Sequence, residues 1–201
     1  MFESTPLVKR IFYLNVASFI LTLILANLNI SIFNLFALWS PESGNFYFWQ
    51  LITHQFLHGG FFHIIFNMLA LLSLGGHVEN YLGEKKFLYF YLICGAFAGI
   101  FHMLLVNSGN VPMVGASGAL FGIFSFFALA YPNEKLYAFF IPIGIKSKVL
   151  LGILIGIEVI LGMVSTSDGV GHWAHVGGAL MGLAFFYGGE VFASPFLYFI
   201  N

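Results

Sequence analysis

Apolar residues dominate this chain in long runs, and most polar residues fall between the runs rather than alternating with them. A helix needs about 20 apolar residues to cross the hydrocarbon core of a bilayer. Six runs reach or approach that length: about 11–28, 61–79, 87–106, 117–131, 149–165 and 172–190, the fourth and fifth being short. Breakers support the cuts. Gly83 separates the second and third runs, "SGNVP" precedes the fourth, "YPNEK" and "IPIG" divide the fourth from the fifth, and "STSDG" precedes the sixth. The pattern predicts an all-α polytopic membrane protein of six transmembrane helices, forming a single membrane domain over 1–201.

Composition agrees. Sixty per cent of the 201 residues are apolar and 7% are charged, where soluble domains carry about 25% charged residues. Mean hydropathy is +0.94. The seven cations then orient the chain. Lys9 and Arg10 precede the first run, Lys85 and Lys86 lie between the second and third, and Lys135, Lys146 and Lys148 lie between the fourth and fifth. The segments 29–60, 107–116 and 166–171 hold none. Because Lys and Arg mark the cytoplasmic side, this partition predicts N- and C-termini in the cytoplasm. The first run follows Lys9-Arg10 as in a secretory leader, but it is long and lacks a clear small-residue cleavage site, so it reads as a span. The external connection, about 29–60, carries Trp39, Phe46, Tyr47, Phe48 and Trp49. It is expected to lie at the outer membrane interface, partly structured. A net charge of −1 makes nucleic acid an unsuitable partner. Cys94 has no second cysteine to pair with and reads as a small buried hydrophobe.

Polar groups within spans are costly and tend to be functional. The candidates are His63, Asn67, His77, His102, Ser117, Ser125, Glu158, His172 and His175. With the N-terminus inside, the second, fourth and sixth spans all run inward. His63 and Asn67, Ser117 and His175 therefore start three different helices at similar depth. His63 and Asn67 are four apart and share a face. Ser117 stands in "GASGALFG", where Gly115, Ala116, Gly118 and Ala119 leave its oxygen little shielded. It could be packing glue between helices or a nucleophile with first-turn N–H groups at hand for an oxyanion. "GALFG" and "GALMG" place Gly118 and Gly122, and Gly178 and Gly182, in Gly-x-x-x-Gly stripes that let membrane helices approach closely. Such a contact would bring His175 to Ser117. A nucleophile, a base and oxyanion donors make a hydrolytic site. No acidic residue is expected to orient His175; Asp168 lies seven residues earlier, in a connection. A Ser–His dyad is the economical reading.

"HGGFFHIIFNMLALLSLGG" at 58–76, "GASGALFG" at 115–122 and "GHWAHVGGALMG" at 171–182 resemble a rhomboid intramembrane serine protease, in order and spacing. The resemblance runs from about Trp49 to Gly182. It implies Ser117 as nucleophile and His175 as general base. His63, Asn67 and the Ser117 backbone N–H would hold the oxyanion. The implied fold is a six-helix core open to the outer side, and the implied partners are transmembrane protein substrates and membrane lipid. The expected location is a bacterial inner membrane, with no cofactor or metal. Two departures stand out. Many members carry Trp-Arg where this chain has Trp49-Gln50, and some carry Tyr where it has Phe121, which can stack on the imidazole but offers no hydroxyl.

Other readings are weaker. A metalloprotease would need His-Glu-x-x-His or an acidic partner for His63 and His175. A catalytically inactive rhomboid-like protein that binds or escorts membrane helices could dispense with the dyad. A transporter would be expected to show inverted repeats. His54 and His58 read as loop or interface residues, and His77 and His102 as structural residues near helix ends. Glu79 is expected to fix the inner end of the second span. Glu158, mid-span, is expected to pack inward and has no assigned role.

Overall fold

The computed structural model describes residues 5–106, 111–137, 143–164 and 169–197, with side chains to 188. Six helices carry the fold: α1 (Pro6–Asn27), α2 (Phe61–Leu82), α3 (Glu84–Leu105), α4 (Ser117–Ala130), α5 (Ser147–Val164) and α6 (His172–Leu197). Each covers one of the apolar runs. The sixth extends past the expected 190 to Leu197.

Among the described residues four of them, α1, α2, α3 and α5, are long and apolar enough to cross a membrane. At 1.5 Å per residue, the 14 residues of α4 span about 21 Å, short of the ~30 Å core. Its first residue, Ser117, therefore cannot reach one face of a bilayer if its last residue reaches the other.

Local chemistry sets the ends. Pro6 opens α1, where its fixed φ suits the first turn and its missing N–H costs nothing. The next donors are met from α2. Glu79 accepts from the backbone N–H of Leu7 at 3.1 Å and of Val8 at 2.8 Å, and from the Thr5 hydroxyl. Glu79 thus does more than close its own helix. Gly83, at φ +82°, turns α2 directly into α3. The surface pair Arg10–Glu84 lies at this same end. After α4, β1 (Lys135–Leu136) pairs antiparallel with β2 (Ile145–Lys146). A cleft beside this hairpin is lined by His77, near the end of α2, together with Glu134 and Lys135. The cationic segments thus share one end of the bundle.

α6 is the central element and packs against α4, α3 and α5. Phe87, Phe90, Tyr91, Ile123, Phe127 and Phe185 fill the interior between them. α4 is buried along most of its length. α5 buries only Ser147 among its residues, and turns Ile153, Ile157, Ile160 and Met163 outward. A surface of that kind suits lipid and would associate in water.

The connection 28–60 is ordered by short helices, Phe33–Phe36 and Gln50–Thr53, and by single turns at Pro41–Ser43 and His54–Phe56. Gln50 is its hub. Fully buried, it accepts from the N–H of Trp39 (3.3 Å) and Tyr47 (3.1 Å) and donates to the carbonyl of Asn45 (3.0 Å). An uncharged amide can both donate and accept, which the Arg of the resembling motif cannot. Gln55 donates to Leu51 (3.0 Å) and across to Leu92 on α3 (3.1 Å). A Cβ at Gly95 would collide with it, so the loop sits against a glycine notch in α3.

Candidate active site

The loop also reaches the segment that leads into α4. Leu38 and Met113 exchange backbone hydrogen bonds of 2.9 and 2.8 Å, and the Gly115 N–H donates to the His54 carbonyl at 2.9 Å. Gly115 takes φ +123°, and a Cβ there would lie 2.6 Å from His63 Nε2. Only glycine satisfies both demands. The chain then enters α4 at Ser117, whose first-turn N–H groups have no intrahelical acceptor.

α4 meets α6 backbone to backbone. A Cβ on Gly178 would strike the Gly118 carbonyl, and one on Gly182 the Gly122 carbonyl. On its other side, α4 brings Gly118 against Ala98, and a Cβ on Gly122 would lie 2.5 Å from Cys94 Sγ. Both Gly-x-x-x-Gly stripes are therefore contact surfaces, and no larger residue fits at their crossing. With the helices this close, His175 Nε2 lies 2.8 Å from Ser117 Oγ. The Phe121 ring, one turn into α4, stacks on the imidazole at 4.5 Å and 13°. Ser117 is half-buried and His175 is 9% exposed, so the hydroxyl can be reached while the imidazole is held.

His63 and Asn67 lie on α2 beside this pair. Asn67 is buried, its Nδ2 would be 3.6 Å from a Cβ on Gly115, and that donor has no partner among the described residues. His58 is buried too, with its ring edge-on to His63 at 5.0 Å. Burial pushes the His58 imidazole down to about 3, helped by the neighbouring His63. Burial likewise pushes His54 down to about 4, opposed by the Gln50 carbonyl that meets its Nδ1 at 2.6 Å. These two loop histidines are neutral supports beneath the site. His102, near the end of α3, lies by the start of α6, with its Nδ1 3.8 Å from where a Gly171 Cβ would be.

One expectation is overturned. An acidic residue does stand against His175. Glu158 Oε2 lies 3.0 Å from His175 Nδ1 and 2.6 Å from His172 Nδ1. Residues near the end of α5 and near the start of α6 face each other because the two helices run antiparallel. Asp168 lies outside the described residues. The ligand-type atoms of Glu158, His172 and His175 all lie within 4.8 Å of one another, a set of the kind that can hold a metal ion. It does not include His63.

A serine with an imidazole at hydrogen-bond distance, unpaired N–H groups and a buried amide donor beside them can carry out acyl transfer. Residues 45–189 match the family model described as "Rhomboid domain". The protein named Rhomboid protease GlpG of Yersinia pseudotuberculosis serotype I is 26% identical over 182 residues, covering 90% of this chain and 62% of that protein. The GlpG of Yersinia pestis matches to the same extent. RHOMBOID-like protein 4 of Arabidopsis thaliana is 33% identical over 135 residues, 67% of this chain and 32% of that one. The chain thus spans about 62% of the length of the GlpG proteins it matches. With a family model matched across most of its length and apolar helices to embed it, this integral membrane protein belongs to the rhomboid family.

Proposed function

We propose that the chain is an intramembrane serine endopeptidase that cleaves single-span membrane proteins near the outer end of their transmembrane helix. The observation that carries this reading is the 2.8 Å contact between His175 Nε2 and Ser117 Oγ at the head of a short helix. In this reading the chain crosses a bacterial inner membrane six times, with both termini in the cytoplasm. The shared cationic end of the bundle supports that orientation.

The chemistry runs through this chain's own groups. Ser117 Oγ attacks the scissile carbonyl while His175 Nε2 takes its proton. The oxyanion is held by the Ser117 backbone N–H, Asn67 Nδ2 and His63. Collapse breaks the C–N bond, and His175 returns the proton to the leaving amine. Water, activated by His175, then hydrolyses the acyl-enzyme. Phe121 keeps the imidazole plane facing Ser117 throughout.

Water must reach this site, and α4 starts below the bilayer surface if its far end reaches the cytoplasmic side. A pocket open to the outer aqueous phase meets both needs. A substrate helix must unwind before Ser117 can attack, since its carbonyls are internally bonded. Unwinding is easiest near a helix end and where Gly or Pro weakens the helix. His63 and Ala98 pack closely against Gly115 and Gly118 on either side of Ser117 and leave limited room, so cleavage should follow a small residue such as Ala. The test is incubation of purified protein with a panel of single-span substrates, comparing wild type with Ser117→Ala and mapping products by mass spectrometry. Cuts at the cytoplasmic end, or equal cleavage by both proteins, would overturn the reading.

A further inference from the structure

His175 Nε2 meets the Ser117 hydroxyl, and its Nδ1 faces the Glu158 carboxylate at 3.0 Å without an aligned hydrogen bond. With Nε2 toward the Ser117 hydroxyl at 2.8 Å, a base must keep Nε2 free of its proton and carry the proton on Nδ1. An Nδ1–H inside a protein needs an acceptor. The carboxylate oxygen of Glu158, 3.0 Å away, is the acceptor within reach, although it lies off the line of an aligned hydrogen bond. Such contacts often tighten only when substrate is bound.

The surroundings make that carboxylate distinctive. The other titratable groups facing His175 are His172 on its own helix, His63 on α2 and His102 on α3. From α4 comes the uncharged Phe121 ring. Every one of those partners is neutral or would add positive charge. When His175 takes the serine proton, Glu158 is the one anion among the described residues positioned against it. It is also held in place: the same Oε2 meets His172 Nδ1 at 2.6 Å. Trp173 Nε1 donates to the Gly162 carbonyl at 3.2 Å, one turn further along α5. A lone carboxylate on a helix that otherwise turns isoleucines outward has no packing reason to be there.

We propose that Glu158 is a positioning residue for the peptide hydrolysis argued above, on which this inference rests. It holds His175 in the Nδ1–H tautomer with Nε2 aimed at Ser117, and it balances the imidazolium formed as Ser117 attacks. His172 fixes the carboxylate in turn. The site is then a relay, Ser117–His175–Glu158–His172, drawn from α4, α6 and α5.

The experiment uses the full chain in proteoliposomes, with two readouts: turnover of a single-span substrate, and the rate at which a fluorophosphonate labels Ser117. Glu158→Gln should lower kcat by at least about 100-fold, within the range seen when the acid of a serine-protease triad is neutralised. KM should stay within about twofold, because substrate binding is untouched. Labelling should slow in parallel, the melting temperature should change little, and Glu158→Asp should restore most of the activity. If Glu158→Gln fails to fold, His172→Gln is the second variant. It should lower kcat about tenfold at constant KM, since it disturbs only the orienter. Wild-type kcat and labelling in Glu158→Gln would overturn the proposal. So would losses in Gln and Asp variants that merely track their melting temperatures. If wild type cleaves no better than Ser117→Ala, the peptidase reading fails, and the labelling rates alone decide Glu158.

Discussion

α4 and α5 flank α6 and each sets one residue, Ser117 or Glu158, beside His175, but they are held in opposite ways. α4 is buried from Gly118 to Ala128 with little relief, and it touches α6 through glycine backbones. Its position is set by close packing, which tolerates no added methyl. α5 buries only its first residue, and Gly152 and Gly156 on it face open space. It meets α6 through polar contacts, Glu158 to the two histidines and Trp173 to the Gly162 carbonyl. Ser117 is thus placed by shape, and the Glu158 carboxylate by charge and hydrogen bonding. Largely buried charged and hydrogen-bonded contacts are stronger than exposed ones, so a helix can be attached by few of them.

The largest effect tests the pair that shape brings together. Ser117→Ala and His175→Ala should each reduce cleavage to near background while the protein folds, and the double variant should be no worse. Robust turnover by a clean Ser117→Ala preparation would sink the peptidase reading. The next breaks the packing itself. Gly178→Val should cost at least about 3 kcal/mol, the top of the usual range for overpacking, because the new carbons run into the Gly118 carbonyl. Thermal unfolding in detergent measures it. A folded, active Gly178→Val would mean that the α4–α6 contact is looser than the glycine geometry requires.

Smaller losses are expected beside the pair. Asn67→Ala and His63→Ala should each slow turnover by about 10²–10³, the usual cost of one oxyanion donor, with Ser117 still reactive. Full activity in both would return these residues to packing. Acid should then loosen the connection 28–60. His54 and His58 are held neutral with folded values near 4 and 3, below the ordinary value of about 6.5. Protons therefore bind more tightly to the opened loop. The stability this gives is complete above about pH 6.5 and is lost as pH falls toward 4. Limited proteolysis of the loop should speed up over that window, and a flat rate would contradict it. The smallest effect lies on α5. Gly156→Ala meets nothing in the structure and should be neutral or slightly stabilising, since alanine is the better helix former by about 1 kcal/mol. A large loss there would show that this face of α5 is covered.

Much of the helical frame was legible because it follows from length and breakers. The run at 61–79 became Phe61–Leu82, and Ser117 opens its helix where the run after "SGNVP" begins. The nearness of Ser117 and His175 could be read from two small-residue stripes, each local in sequence; what the two residues do there remains a proposal. Glu158 was visible as a charge in the wrong place, yet no local pattern names its partner. That depends on how two antiparallel helices are registered across a connection. The work of Gln50 was hidden for a related reason. Hydrogen bonds from a side chain to scattered loop carbonyls have no period to read, and the identity of the residue shows only that it can bond.

The carboxylate at the other end of the bundle bears on how the chain is made. α1 is synthesised before α2, yet Glu79, which receives its first amides, lies 72 residues after Leu7. Until α2 has entered the bilayer, those amides and the Thr5 hydroxyl must find water or lipid headgroups instead. The start of α1 is completed only when the far end of α2 arrives beside it. The two helices are therefore finished as a hairpin, and a substitution at Glu79 would be felt first during insertion, as a helix whose leading turn has nowhere dry to settle.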